Sequence, residues 1–423
     1  TIGASGDTIT IPSGATITNN GTQTGFGREG SVDWQTGSIK TTTFTAASGE
    51  GYFINSGSAL TMNLPAGSPG AIVAVSDYAR NFATYNFTIS PNGSEKIGGV
   101  ADNVTLDVDG QAATFVYVDG TKGWINVQNA EDTKQGTSTY TADFLVVAAG
   151  ASGGAAKGGG GGAGGYRASF NSEASGGGGS SETALQLTPG TVYTVTVGNG
   201  GAAVSPSPSA TGTNGGDSSI SGSGITTITS TGGGGGGGDL SPSGPGNAGG
   251  CGGGAGGNGP NPVSGGAGTS NQGFAGGDGY AGSAAAGGGG GGAGAVGSTV
   301  PGNSQPGGTG GAGVASTITG SSVTRGGGGG GINESGSVAD GPGGAGGGGA
   351  GNTGGGVAGT ANTGGGGGAT HNSGTSGAGG SGVVIISVPD ANYSGTTSGS
   401  PTVATGVSGK TVMTFNGDGS YTA

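Results

Sequence analysis

Between residues 51 and 127 apolar and polar positions alternate with a period of two. The segments are Gly51-Tyr-Phe-Ile-Asn, Ala59-Leu-Thr-Met-Asn-Leu, Ala71-Ile-Val-Ala-Val, Tyr85-Asn-Phe-Thr-Ile, Val104-Thr-Leu-Asp-Val, Ala113-Thr-Phe-Val-Tyr-Val and Gly123-Trp-Ile-Asn-Val. Asp109-Gly110 and Asp119-Gly120 supply turns between them. Short alternating runs joined by turns predict a β-sandwich or jelly-roll-like domain over 25–135, with Trp34 and Trp124 in its core. Further on, Phe144 to Ala149 and Val383 to Ile386 are continuously apolar. Runs of that kind predict buried strands, 143–149 and 383–388, placed as neighbours at the base of whatever they bracket. Between them, alternation at 191–197 and the isoleucines at 225 and 228 predict a small β excursion over 180–231. The tail, 389–423, carries strands at Lys410–Phe415 and Ser420–Thr422 around Asn416-Gly-Asp-Gly. Its Gly-Ser-Tyr-Thr-Ala echoes Ser-Thr-Tyr-Thr-Ala at 138–142. Either the tail closes the module in the same way, or the chain stops where another unit once began.

The bracketed stretch has almost no hydrophobic pattern, because it is glycine. Of 118 glycines, 92 fall in residues 150–382, in runs such as 158–162, 232–238, 287–292, 326–331 and 364–368. The spacing is not Gly-X-Y, which excludes collagen. Each interior glycine would cost a helix about 1 kcal/mol relative to Ala, and glycine gives an ordinary strand nothing to pack. Two states remain. Pro plus Gly make 134 of 423 residues, which is compatible with a disordered tether. The ordered alternative is polyglycine II, an extended helix of three residues per turn whose N–H and C=O groups point outward and bond to neighbouring segments. That reading makes 136–388 a backbone-bonded brick with loops at its two ends. It places Ala163, Ala255, Ala293 and Ala345 on an outer face. Residues 1–24, with single isoleucines among Thr, Ser and Gly, read as the end of a thin fibrous stalk. The expected fold class is therefore mainly β: a sandwich, a polyglycine II domain and a short C-terminal β tail. With Thr1 in first position, an upstream part or a processing event is expected.

Charge narrows the partners. The net charge is −12 and Lys plus Arg number ten; this argues against nucleic acid or anionic lipid as a direct partner. The apolar runs are too short to span a membrane. Cys251 and His371 are the single Cys and His. They lie too far apart in the chain for a metal site, and Cys251 reads as a small residue standing in for Gly or Ala.

Three motif matches carry little. Gly150-Ala-Ser-Gly-Gly fits a nucleophile elbow, and Gly409-Lys-Thr ends a relaxed phosphate-loop pattern, but each needs a following helix that these residues do not supply. The Gly-Gly-Asp segments at Asp217 and Asp278 lack the nine-residue repeat of calcium-binding solenoids. No catalysis, cofactor or metal is expected. What remains is binding by loops on a rigid scaffold. Residues 269–281 combine aromatics with amides, at Asn271, Gln272, Phe274 and Tyr280, and residues 369–376 hold His371 and Asn372. Aromatics with amides, as in 269–281, suit sugar or protein surfaces. Loops 239–248, 301–306 and 332–341 are further candidates. Phe274 and Tyr280 can equally cap the edge of the brick.

The order Trp34-Gln-Thr … Gly51-Tyr-Phe-Ile-Asn … Leu64-Pro … Val116-Tyr-Val-Asp-Gly … Gly123-Trp resembles a β domain of marine tailed-phage tail fibres. Phe144-Leu-Val-Val-Ala-Ala-Gly, Thr188-Pro-Gly-Thr-Val-Tyr-Thr-Val-Thr-Val-Gly, Asn214-Gly-Gly-Asp-Ser-Ser and Gly382-Val-Val-Ile-Ile are similar to glycine-rich phage fibre and adhesin domains, covering most of 30–390. The irregular run lengths and the long tail depart from that pattern. The resemblance implies the distal part of a virion tail fibre. It would be a homotrimer joined to an upstream fibre or tail protein, and its loops would bind a host-cell glycan or outer-membrane protein. A structural subunit of an extracellular filament, and an ice-binding protein, are the alternatives.

Overall fold

The computed structural model describes residues 32–128, the backbone of 134–135, and residues 139–206, 210–239, 244–258, 262–335, 338–371 and 374–423. The expected stalk end at 1–24 lies outside these residues, as does Asn372. The chain divides into two compact units, Thr1–Thr137 and Ser138–Ala423. Among the described residues, no helix is long and apolar enough to cross a membrane.

The first unit is a two-sheet sandwich. Its strands are β1 (Asp33–Trp34), β2 (Phe44–Thr45), β3 (Glu50–Ile54), β4 (Leu60–Asn63), β5 (Ile72–Asp77), β6 (Phe87–Ser90), β7 (Val104–Leu106), β8 (Ala112–Asp119), β9 (Gly123–Asn126) and β10 (Lys134–Gln135). One sheet has the order β1-β3-β5-β8-β9 and the other β10-β7-β6-β4-β2. Through β6, successive strands alternate between sheets, so β1-β3-β5 and β2-β4-β6 pair in parallel. Parallel neighbours need a crossover, and here the crossover is a strand of the opposite sheet. The unit is thus wound rather than folded as a jelly roll. The period-two pattern sends Tyr52, Ile54, Met62, Val73, Val75, Phe87, Phe115 and Trp124 into one core. Trp34 does not join them. It is 39% exposed and lies against the Phe53 ring, 4.9 Å between centroids, because β1 is an edge strand whose Trp34 sits opposite Gly51.

The second unit contains β11 (Tyr140–Val147), β12 (Tyr166–Ala168), β13 (Leu185–Leu187), β14 (Val192–Thr196), β15 (Ser218–Ser221), β16 (Ile228–Ser230), β17 (Val314–Ser316), β18 (Val323–Arg325), β19 (Val383–Pro389), β20 (Thr397–Ser398), β21 (Thr402–Val407), β22 (Lys410–Phe415) and β23 (Gly419–Thr422). Strand β11 pairs antiparallel with β19, so the two bracketing apolar runs are direct neighbours. They belong to the sheet β12-β11-β19-β22-β21, with β13 also on β11, and a second sheet runs β16-β15-β14-β23-β20. The tail strands β22 and β23 thus sit inside the two sheets. Phe144, Val146, Val384 and Ile386, with Met413 and Phe415 of β22 in the same sheet, face the second sheet, where Tyr193, Val195 and Tyr421 complete a core. Leu145, Val147, Val383 and Ile385 face the other way, onto Ala163, Cys251, Ala293 and Ile318. A sheet covered on both faces needs apolar residues at every position; that is why these strands do not alternate.

Above the second face stands the glycine stack. In the run 158–165, donors three residues apart choose the same neighbour. Gly159, Gly162 and Gly165 donate to Gly237, Gly234 and Thr231, at 2.9, 2.9 and 2.8 Å. Gly160 and Ala163 donate to Gly288 and Gly291, both at 3.0 Å. Gly161 and Gly164 donate to Gly367 and Gly364, both at 2.9 Å. Partner numbers fall along the first and third neighbours and rise along the second, so the stack mixes antiparallel and parallel contacts. The carbonyls of the same run take amides from three other segments, at Ala151, Gly254 and Gly329. Three directions repeating every third residue is polyglycine II packing. Gly159 to Gly162 keep φ outside the left-handed region. Glycine is required here by contact, not by conformation: a Cβ on each would lie 2.0–2.3 Å from a neighbour's carbonyl oxygen. Each lateral bond contributes about 0.5–1.5 kcal/mol net. Together they offset the roughly 0.5–1 kcal/mol per residue of glycine's extra ordering entropy.

Three of the four alanines are not on an outer face. Ala163, Ala255 and Ala293 are fully buried, and Ala163 and Ala293 lie where the stack meets the sheet; among the four only Ala345 is exposed. Cys251 is also buried there, and burial pushes its thiol up to about 12. Native protein at pH 8 is therefore expected to resist iodoacetamide and to react at Cys251 once denatured, as read by intact mass. Labelling of the native state would place Cys251 in an opening segment.

Candidate functional site

Because runs reverse direction, loops collect at two ends of the stack. One end bears the strands. The other bears 156–157 and the described parts of 203–210, 239–244, 258–262, 281–285, 301–306, 333–340, 353–355 and 371–375. The pairing that establishes this is repetitive. Ala155 bonds to Ala210, Gly257 to Lys157, Ile332 to Gly158 and Thr370 to Gly154 at the loop end; Ala149 bonds to Gly216, Gly250 to Gly232 and Gly382 to Gly198 at the strand end.

Side chains tie the loop-end turns to one another. Lys157, held at φ 60°, forms an ion pair with Glu334 at 3.2 Å. The other Glu334 oxygen accepts from Ala285 N–H at 3.2 Å. Asp340 accepts from Asn333 N–H at 2.8 Å, and from Thr353 N–H and hydroxyl at 2.9 and 2.8 Å. The Asn333 amide donates to Gln305 C=O at 2.5 Å, and Asn258 donates to Asp239. These bonds link loops far apart in sequence into one patch whose positions are set before any ligand arrives. His371 lies at this end with Nε2 buried and without a hydrogen-bond partner among the described residues. Leaving such an atom unmatched costs about 1–3 kcal/mol.

The residues singled out from sequence are not brought together. Tyr280 and His371 stand at the loop end, Tyr280 through a bridge to Ala286. Asn271, Gln272 and Phe274 stand at the strand end. Gln272 C=O accepts from Tyr166 N–H at 3.0 Å, and its side-chain oxygen accepts from Thr231 N–H at 2.8 Å. Phe274 is half-buried, and its N–H bonds to Gly292 at 3.1 Å. The stretch 269–281 is thus not one loop but a turn followed by a climbing run that ends at the other face. Of the other candidate loops, 301–306 and the described parts of 239–248, 332–341 and 369–376 do reach the loop end.

The weaker motifs also find structural places. Ser152 is fully buried, and its hydroxyl accepts from Thr213 N–H at 2.8 Å. Lys410 lies in β22 with its ammonium on Asp143. Asp217 and Asp278 accept run amides, from Gly232 at 2.8 Å and Gly265 at 2.9 Å. Asn214, three residues before Asp217, takes the amide of Gly235, three residues after Gly232. These side chains complete the period-three bonding where a backbone neighbour is missing. Among the described residues there is no group of three or more His, Cys, Asp or Glu that could hold a metal ion. Lys157 was missed from the sequence, and Glu334 and Asp340 were not singled out within the candidate loop 332–341; locating the run ends by their period of three would have found them.

Residues 132–389 match the family model of a glycine-rich domain. The curated proteins contain no match to the chain.

Proposed function

We infer, from the premise that this chain belongs to the glycine-rich domain family, that it is an attachment protein and forms the distal part of a phage tail fibre. The observation that supports this is the cross-linked loop patch at one end of a rigid stack. The opposite end carries a two-sheet sandwich, whereas the loop end is built of turns whose side chains bond to one another. Loops can vary there without disturbing backbone bonds within the runs, which suits recognition of changeable surfaces. The reading includes a homotrimer on an upstream fibre, with weak contacts multiplied by avidity. The receptor is a cell-surface glycan or an outer-membrane protein.

The test is binding of the fluorescently labelled chain to a panel of Gram-negative cells. Replacing 301–306 with Gly and Ser is expected to lower binding at least about tenfold without changing the unfolding midpoint. Binding no better than that of an unrelated acidic protein, across the panel, would overturn the attachment reading. Native mass spectrometry tests the assembly: a discrete trimer that survives dilution supports the tip, whereas open-ended polymers point to a filament subunit.

A further inference from the structure

We propose that the groove at the strand end of the second unit is a binding site for a neutral oligosaccharide. The proposal rests on the attachment reading for its biological role and on the groove itself for its chemistry. Two adjoining cavities of about 520 Å³ each share Ser181 and Glu182 as a common wall, and each alone lies in the size range of small-ligand sites. One compartment is polar, with Arg167, Ser270 and Asn271 around that wall. The other has a more apolar wall, Ala184 and Ile225 with the largely buried Leu185 and Ile228, beside Thr183, Gln186 and Thr226. A polar compartment beside a more apolar one matches a sugar chain, whose hydroxyl rims need donors and acceptors while its C–H faces need apolar cover.

Charge selects a neutral ligand. The Arg167 guanidinium donates to both Glu182 oxygens, at 2.8 and 2.5 Å, so the only ion pair in the groove cancels itself. Its Nη1 also donates to Thr229 C=O at 3.0 Å. A guanidinium has five N–H bonds, and two remain for hydroxyl oxygens. An incoming anion would meet Glu182, and an incoming cation would meet Arg167. The same contact to Thr229 disfavours a peptide strand: β16 is the edge of its sheet, and Arg167 already holds a carbonyl on it. The walls are rigid before binding. Gln272 is fixed at both its carbonyl and its side-chain oxygen, and Asn271 is held in a left-handed turn at φ 58° with its side chain exposed. Little ordering is left to oppose association.

The test is calorimetric titration and ligand-observed NMR of the full chain. The probes are maltotetraose, cellotetraose, chitotetraose and mannotetraose, with sialyllactose as an anionic control and an extended decapeptide as a strand control. At least one neutral tetrasaccharide is expected to bind with a Kd at or below about 1 mM, and the two controls are not. Asn271→Gly keeps the turn but removes the amide, and is expected to weaken that binding about tenfold; Ile225→Asp is expected to weaken it through the apolar wall. Failure of all four neutral sugars overturns the site, as does binding that is unchanged in both variants or seen only with a control. Sugar binding without cell binding would keep the groove and remove the attachment role. Cell binding lost with loop 301–306 but kept in both groove variants, with no sugar bound, would do the reverse.

Discussion

Gly161→Ala is expected to destabilise the glycine stack by at least about 3 kcal/mol, the upper end of ordinary overpacking. The added methyl would sit 2.3 Å from Ala151 C=O and 2.7 Å from Ser152 C=O. Neither atom is the end of a side chain that can swing aside. Both carbonyls are held by neighbours: Ala151 C=O accepts from Gly367 N–H, and Ser152 C=O from Gly236 N–H. Moving them breaks lateral bonds in two further runs, and Gly161's own bonds to Gly367 and Gly329 are strained as well. The control is Gly302→Ala, the same chemical change in a loop with nothing within 4 Å, and it is expected to be silent. The two units report separately. Both tryptophans, Trp34 and Trp124, lie in the first unit, and Cys251 lies in the second. Gly161→Ala should make Cys251 reactive at lower denaturant than in the parent chain while leaving the tryptophan transition in place. Equal Cys251 protection in both variants would show that the runs can spread apart, and that close approach is not what demands glycine.

That argument also marks what was legible in the sequence. Period-two alternation located β3 to β9, because each of these strands has one face in a shared core. Continuous apolarity located β11 and β19, because their sheet is covered on both sides. Polyglycine II followed from asking where the backbone bonds of long glycine runs can go. The misreadings have a common origin: no local pattern states which neighbour covers a residue. Trp34 looked like core, but its strand is an edge and its face is open. Ala163 and Ala293 looked like surface interruptions, yet they occupy the seam between stack and sheet. The parallel winding of the first unit depends on which strands alternate between sheets, and strand signals alone do not encode that. The split of Asn271 from Tyr280 had a similar cause. A run of seven residues at about 3.1 Å each carries the chain roughly 22 Å, so aromatics close in sequence were delivered to opposite faces.

A chain ending at Pro389 is expected not to fold its second unit, although it retains every residue of the family match, 132–389. The tail is structural. Strand β22 lies between β19 and β21, and β23 lies between β14 and β20, so its loss leaves long unpaired edges on both sheets. It also removes Met413, Phe415 and Tyr421, all fully buried, from one core. Large-to-small changes at single positions of this kind cost about 2–5 kcal/mol each, so losing three approaches or exceeds the roughly 5–15 kcal/mol by which domains are stable. Tyr140 would lose its bond to the Tyr421 hydroxyl at 2.8 Å. Burial first, and then that bond, hold the Tyr140 phenol above its ordinary range. In the truncated chain Tyr140 is therefore expected to titrate near the ordinary tyrosine value, as read by ultraviolet difference spectra. Amides of Val384 to Val388 should exchange rapidly, and Cys251 should react without denaturant. Retained protection at those amides would make the tail a dispensable appendage. Rapid exchange would mean that the folding unit extends past the family boundary and must include the last strand, β23.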